Sequence, residues 1–163
     1  MAKSPMQHAA RADAILERIV YATLATVSDA GEPWNAPVYC AMDRRRHFYW
    51  GSPADATHSR NIRANGRGAI VVYDSTVMPG TGEGVYMSAT CHELHDPDDV
   101  RAAFALIKGR RGAVSYWLLE EFLEDGPIRM YEAVPIGVWI NDEVLIDGAT
   151  IDRRVAVQFA TSP

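Results

Sequence analysis

The sequence predicts a mainly β chain with peripheral helices (α+β), its strands closing into one antiparallel barrel. Short apolar runs rich in Thr, Val, Ile and Tyr recur along the chain, separated by turn chemistry such as Asp29-Ala30-Gly31-Glu32-Pro33. Helical spacing is confined to the start, the middle and the stretch between the fifth and sixth strands, so the chain does not alternate as βαβ units would. With 163 residues, 48% of them hydrophobic, the chain suits one domain (1–163) with a sizeable core and no internal repeat.

Ser4 as cap, Pro5 at the first helical position and Gln7 at the capping-box position open a helix over about 5–18. Tyr21 to Ser28 reads as the first strand, Trp34 to Met42 as the second and His47 to Gly51 as the third, together an antiparallel meander. A short basic helix starting at Thr57-His58 feeds the strand Gly68 to Asp74, and Val85 to Leu94 is a further strand. Asp96 caps the next helix, with Pro97 inside it and Val100, Ala103, Phe104 and Ile107 as its apolar stripe. A helix over about Ser115–Glu124, placing Trp117, Leu118 and Phe122 toward the core, precedes two strands, Ile128–Val134 and Ile136–Ile140. The tail to Phe159 is expected to be extended.

Bulk chemistry removes several function classes. A net charge of -5 argues against a nucleic-acid or anionic-membrane partner. No apolar run approaches the roughly 20 residues of a membrane span, and the N-terminus lacks a signal-peptide hydrophobic block, so a cytoplasmic protein is expected. Cys40 and Cys91 sit in apolar strand patterns and read as buried reduced thiols. Only Lys3 and Lys108 are lysines, so a phosphate bound mid-chain has no lysine partner.

Most apparent motifs lack the context their chemistry needs. Gly80-Thr81-Gly82-Glu83-Gly84 precedes a strand, whereas a dinucleotide fingerprint opens a helix. His92-Glu93-Leu94-His95 lies at a strand end, not on the helix that a zincin requires, and no metal site is expected. Asp98-Asp99 and Glu120-Glu121 are adjacent on helices and cannot converge on one cleft, and Arg44-Arg45-Arg46 is a solvated hairpin tip.

Thr57-His58-Ser59-Arg60-Asn61 is different. A strand, a polar loop and a helix whose first turn carries hydroxyl, imidazole and guanidinium groups make an anion site, because unpaired N–H groups and the positive helix end point there. The competing reading has Thr57 simply capping the helix, with Arg60 and Arg63 as surface charges. Two neighbours favour the anion: Tyr49-Trp50-Gly51 offers an aromatic surface, and the strand from Asn35 through Ala36, Pro37, Val38 and Tyr39 to Cys40 lets a flat ligand lie against backbone.

The string ATLATVSDAGEPWNAPVYCAMDRRRHFYWGSPADATHSRNIRANGRGAIVVYDS resembles the pyridoxamine 5′-phosphate oxidase-like, FMN-binding split-barrel proteins. The shared pattern is T-L-x-T-x-x-x-x-G-x-P, then a strand, then a basic helix ending in N-I-R-x-N before a buried strand. GVYMSATCHEL and IRMYEAVPIGVWIND resemble the second half of that family, so the likeness spans roughly residues 8 to 158.

The resemblance implies a six-stranded antiparallel split β-barrel that forms a homodimer with FMN at each end of the interface. It implies phosphate contacts from Thr57, His58, Arg60 and Asn61, and a ring system along Asn35, Ala36, Pro37, Val38 and Tyr39, beside Tyr49, Trp50 and Gly51. The partner subunit closes the site, with Trp139 as its contribution. The expected activity is that of a flavin-dependent oxidoreductase, in which the polypeptide only orients and tunes the cofactor, so no catalytic side chain is named. The alternatives are an F420-dependent reductase and a non-catalytic flavin- or haem-binding protein with His58 or His92 as axial ligand.

Departures from the family also matter. His58 stands at a place where many members carry a phosphate-binding Lys, so FMN affinity is expected to fall as pH rises from about 6 to 8. Ala36 stands where true pyridoxamine-phosphate oxidases use Arg, and their C-terminal Arg-His segment has no counterpart. Oxidation of vitamin B6 is therefore not expected.

Overall fold

A computed structural model describes residues 3–110, 117–123 and 126–159. Helix α1 (Pro5–Arg18) begins as its capping residues dictate: the Ser4 hydroxyl accepts from the Gln7 N–H, and the Gln7 side chain accepts from the Ser4 N–H. Strands β1 (Tyr21–Val27) and β2 (Pro33–Tyr39) form a hairpin whose turn needs Gly31 at φ 86°. Then come β3 (Ala41–Met42), β4 (Phe48–Pro53), α2 (Thr57–Asn65), β5 (Arg67–Tyr73), β6 (Gly84–Glu93), α3 (Pro97–Gly109), a 3₁₀ turn at Leu119–Phe122, β7 (Ile128–Ile146) and β8 (Ala149–Ala156).

All pairings are antiparallel, in the order β2-β1-β5-β6-β7-β4-β3, with β8 added to β7. The two ends of that path, β2 and β3, are joined in sequence through Cys40. The chain therefore brings the sheet round on itself, leaving the outer edge of β2 unpaired: a split barrel. Counting β2 and β3 as one strand broken at Cys40 gives the expected six strands, with β8 additional.

Three expectations change. The second strand of the meander breaks at Cys40, whose N–H donates to the Val20 carbonyl instead of to the ladder. The two strands flanking Pro135 are one: Ala89 pairs with Pro135 and Ser88 with Gly137, so Ile136 bulges out, 74% exposed, and pairing resumes. Between Trp117 and Leu123 the structure has a 3₁₀ turn where a helix was expected; Phe122 is buried but Leu118 faces solvent. The rest of that expected helix lies outside the described residues.

Two cores result. Inside the barrel, Leu24, Ile70, Val72, Val85, Trp50 and Tyr131 pack together, with Ala12, Ile15 and Leu16 of α1 and Ile62 of α2 added from the helices. Outside it, α3 and the 3₁₀ turn cover β3, β4 and β7 through Val100, Ala103, Ile107, Phe122, Tyr39 and Met130. Cys40 and Cys91 are free and buried, and burial pushes both thiols up to about 12, which keeps them unreactive. Among the described residues, no helix is long and apolar enough to cross a membrane.

Candidate functional site

The open edge of β2 lies beside α2, which packs against β1, β2, β5 and β6. On β2 the outward-facing Asn35 and Pro37 are exposed, Ala36 is half-buried, and Val38 and Tyr39 are buried. Tyr39 packs edge-on against Tyr21, ring centroids 5.7 Å apart. Because β2 pairs only with β1 among the described residues, alternate backbone carbonyls of Pro33–Tyr39 face away from the ladder, with N–H groups wherever the residue is not Pro33 or Pro37.

Helix α2 starts one residue after the pivot Ala56, which is its cap and makes no side-chain cap bond. Thr57 is therefore the first helical residue, not the cap. The first intrahelical bond runs from the Arg60 N–H to the Ala56 carbonyl, so helix geometry leaves the N–H groups of Thr57, His58 and Ser59 without intrahelical acceptors. Arg60 is exposed and reaches back to the Asp55 carbonyl and, at 3.2 Å, to the Thr57 hydroxyl. Its guanidinium thus lies over the helix start.

The other two polar residues of this turn face inward. His58 is 9% exposed, its Nε2 lies 2.8 Å from the Ser52 hydroxyl oxygen, and burial lowers its pKa. The imidazole is thereby favoured neutral, with its Nε2 committed to Ser52. Asn61 donates to the Thr26 hydroxyl at 3.1 Å and ties α2 to β1.

The remaining expected residues scatter. Trp50 is 1% exposed, inside the barrel and stacked on Tyr131, so the aromatic surface expected at that strand end is core. Gly51 faces outward beneath the second core, where a Cβ would come within 2.5 Å of Phe122. Tyr49 belongs to a separate polar cluster with Glu132 and Asp43. Trp139 shares an outward-facing row with Pro37, through Thr23, Val71 and Tyr86, but four strands away. Measured along the curled sheet, that is about 19 Å at the usual strand spacing. Around Trp139 lies an apolar hollow formed with Ala69, Val71 and Tyr86, whose ring carries the Arg154 guanidinium at 4.2 Å.

Sequence reasoning missed Ser52, which meets His58 from six residues back at the end of β4, and Glu132, which gathers His47, Tyr49 and His92 through strand pairing that leaves no mark in linear spacing. His92 had been read as a solvated strand end; its side chain is 49% exposed, yet its Nε2 lies 2.9 Å from Glu132. Among the described residues, no group of three His, Cys, Asp or Glu side chains is arranged to hold a metal ion.

Comparison with known proteins bears on the fold and the family. No curated protein sequence matches the chain significantly. Among solved structures it is similar to the Agrobacterium tumefaciens protein Atu2129, of unknown function, with TM-score 0.69 and 19% identity, covering 86% of this chain and 58% of that one. It is similar to a heme-binding protein of Mycobacterium smegmatis, with TM-score 0.65 and 17% identity over 94% of this chain and 59% of that one. It is also similar to the heme storage protein HutZ of Vibrio cholerae, with TM-score 0.67 and 15% identity over 79% and 91%. The chain thus spans less than two thirds of the first two. At these identities the likeness speaks to fold alone. The sequence profile described as pyridoxamine 5′-phosphate oxidase matches residues 9–136, most of the chain, and the protein belongs to that family.

Proposed function

We propose that this protein is a homodimeric flavoprotein oxidoreductase that binds FMN between the free edge of β2 and the start of α2. The observation that carries the reading is that α2, whose first-turn N–H groups lack intrahelical acceptors, packs against the edge strand β2. The residues present fit the cofactor. The first-turn N–H groups, the Thr57 hydroxyl and the Arg60 guanidinium suit a phosphate monoester. The outward backbone groups of Asn35–Val38, to which Pro37 adds a carbonyl but no N–H, suit the polar edge of an isoalloxazine.

When bound, the flavin supplies hydride and electron transfer. The chain's own residues bind and orient it. In this reading His58 buttresses the Ser52–Thr57 loop from within rather than touching the phosphate, and Asn61 holds α2 to the barrel. Trp139, on the outer face four strands along the sheet from β2, closes the partner's site, with the apolar outer face around Tyr86 and Val71 as the isologous interface. With Ala36 in place of a guanidinium, the substrate is not pyridoxamine phosphate.

The test is an absorption spectrum of the purified protein after incubation with FMN, with mass analysis of what heating releases. Bands at about 370 and 450 nm with FMN released support the reading; a protein that takes up no flavin refutes it. A second reading, haem binding, is favoured by the two haem-related fold neighbours. It requires a Soret band at about 410 nm that is lost in His92→Ala, since His58 and His8 are buried and bonded to Ser52 and Asp142.

A further inference from the structure

A second polar constellation lies on the outer face of the sheet beneath α3, apart from the edge of β2. Glu132 of β7 stands opposite Tyr49 of β4 on one side and His92 of β6 on the other, so three adjacent strands present these side chains to α3. Glu132 Oε1 accepts from His47 Nδ1 at 2.7 Å and from the Tyr49 hydroxyl at 2.8 Å; Oε2 lies 2.9 Å from His92 Nε2. The side chains of Glu132 and His47 are each 14% exposed. The Tyr49 hydroxyl also reaches Asp43 Oδ2 at 3.3 Å. Burial first, then Glu132 and Asp43, push the phenol pKa up, so it stays a donor.

That arrangement dictates what the cleft offers a ligand. With both carboxylate oxygens engaged, each neutral imidazole spends its one N–H on Glu132 and presents a lone pair at its other nitrogen, Nε2 of His47 and Nδ1 of His92. The cleft holds about 440 Å³, with Leu94, Ala102 and Leu106 as its apolar wall and Asp99 and Arg45 at its rim. The valences it turns inward are thus acceptors, Arg45 excepted, and three carboxylates face one guanidinium. The two imidazoles engage opposite oxygens of Glu132 and do not converge on a metal ion.

The geometry points to a binding cleft for a small organic cation, a primary ammonium or amidinium on an apolar body. Its N–H donors meet His92, Asp43 and Asp99, and its body lies against Leu94 and Leu106.

The experiment is an NMR titration of the histidine ring signals with benzamidine at about pH 8, with benzoate and benzyl alcohol as controls. The expected result is a saturable shift of both His47 and His92 with half-saturation at about 1 mM or tighter, and none from the controls. Glu132→Gln puts an amide donor against one ring and should weaken binding at least about tenfold. His92→Leu, at a half-exposed position where folding is not at stake, should do the same. The assignment is overturned if benzamidine moves neither ring, if benzoate binds equally, or if folded His92→Leu binds as wild type. It is also overturned if Zn²⁺ binds through both imidazoles.

Discussion

Replacing Gly51 with Ala should destabilise this protein, although Gly→Ala in a strand with ordinary φ would by itself stabilise it by about 0.4–1 kcal/mol through the unfolded chain. Gly51 has no positive φ, so the effect rests on space. An added Cβ would lie 2.5 Å from Phe122 Cε1, 3.0 Å from Cζ and 3.1 Å from Trp117 Cη2. Carbon atoms settle at about 3.5–4.0 Å, so the Phe122 ring must retreat by about 1 Å. It has nowhere to go: Phe122 is 3% exposed, with Phe104 and Trp117 each packed edge-on at 5.3 Å. Overpacking of this kind costs about 1–3 kcal/mol, which against that gain leaves a net loss centred on about 1 kcal/mol, with about 2–4 °C in Tm for each kcal/mol in a chain of this size. Urea unfolding followed by tryptophan fluorescence measures it. Phe122→Leu in the Gly51→Ala background should recover about 1 kcal/mol of coupling. A Gly51→Ala protein at least as stable as wild type would refute the packing argument.

Asp142→Asn should cost about 2 kcal/mol, because Asp142 is buried and takes contacts from His8 at 2.8 Å, Lys3 and Arg11. Burial alone would raise its pKa, but the Lys3 and His8 hydrogen bonds and nearby positive charge outweigh that and lower it. Its contribution is therefore complete above the unfolded carboxylate pKa of about 4 and is lost as pH falls through the lower folded value; acid unfolding of the Asn variant should show a shallower pH dependence. His58, with its pKa lowered by burial, behaves oppositely: folding is penalised as pH falls below about 6.5, where the unfolded imidazole takes a proton. FMN affinity should then stay level between about pH 6.5 and 8, and a steady decline over that range, measured by flavin fluorescence quenching, would return His58 to the phosphate. Trp139→Asp should leave the monomer's melting transition within about 0.5 kcal/mol yet abolish the dimer and weaken FMN uptake together; a variant that stays dimeric in sedimentation equilibrium would exclude this face as the interface.

Local chemistry in the sequence was enough to determine the capped start of α1, the Gly31 hairpin, the Asp96–Pro97 start of α3 and the alternation that buries Leu24, Ile70 and Val72. Each depends on residues within a turn or two of one another, where spacing is the physical signal. The family pattern made the split barrel and the Thr57 helix start legible as well. Pro135 misled, because a break in hydrogen bonding looks the same in sequence whether a strand ends or bulges; only the β6 ladder, resuming at Gly137, decides it. Trp50 and His58 misled for a related reason. Composition shows an aromatic ring or an imidazole at a strand end or helix start, but whether it faces inward depends on Tyr131, paired with Trp50 on the neighbouring strand, and on Ser52, which meets His58 from the end of β4. The gathering of His47, Tyr49 and His92 on Glu132 was likewise decided by register alone, since groups up to 85 residues apart become neighbours only when β4, β6 and β7 pair.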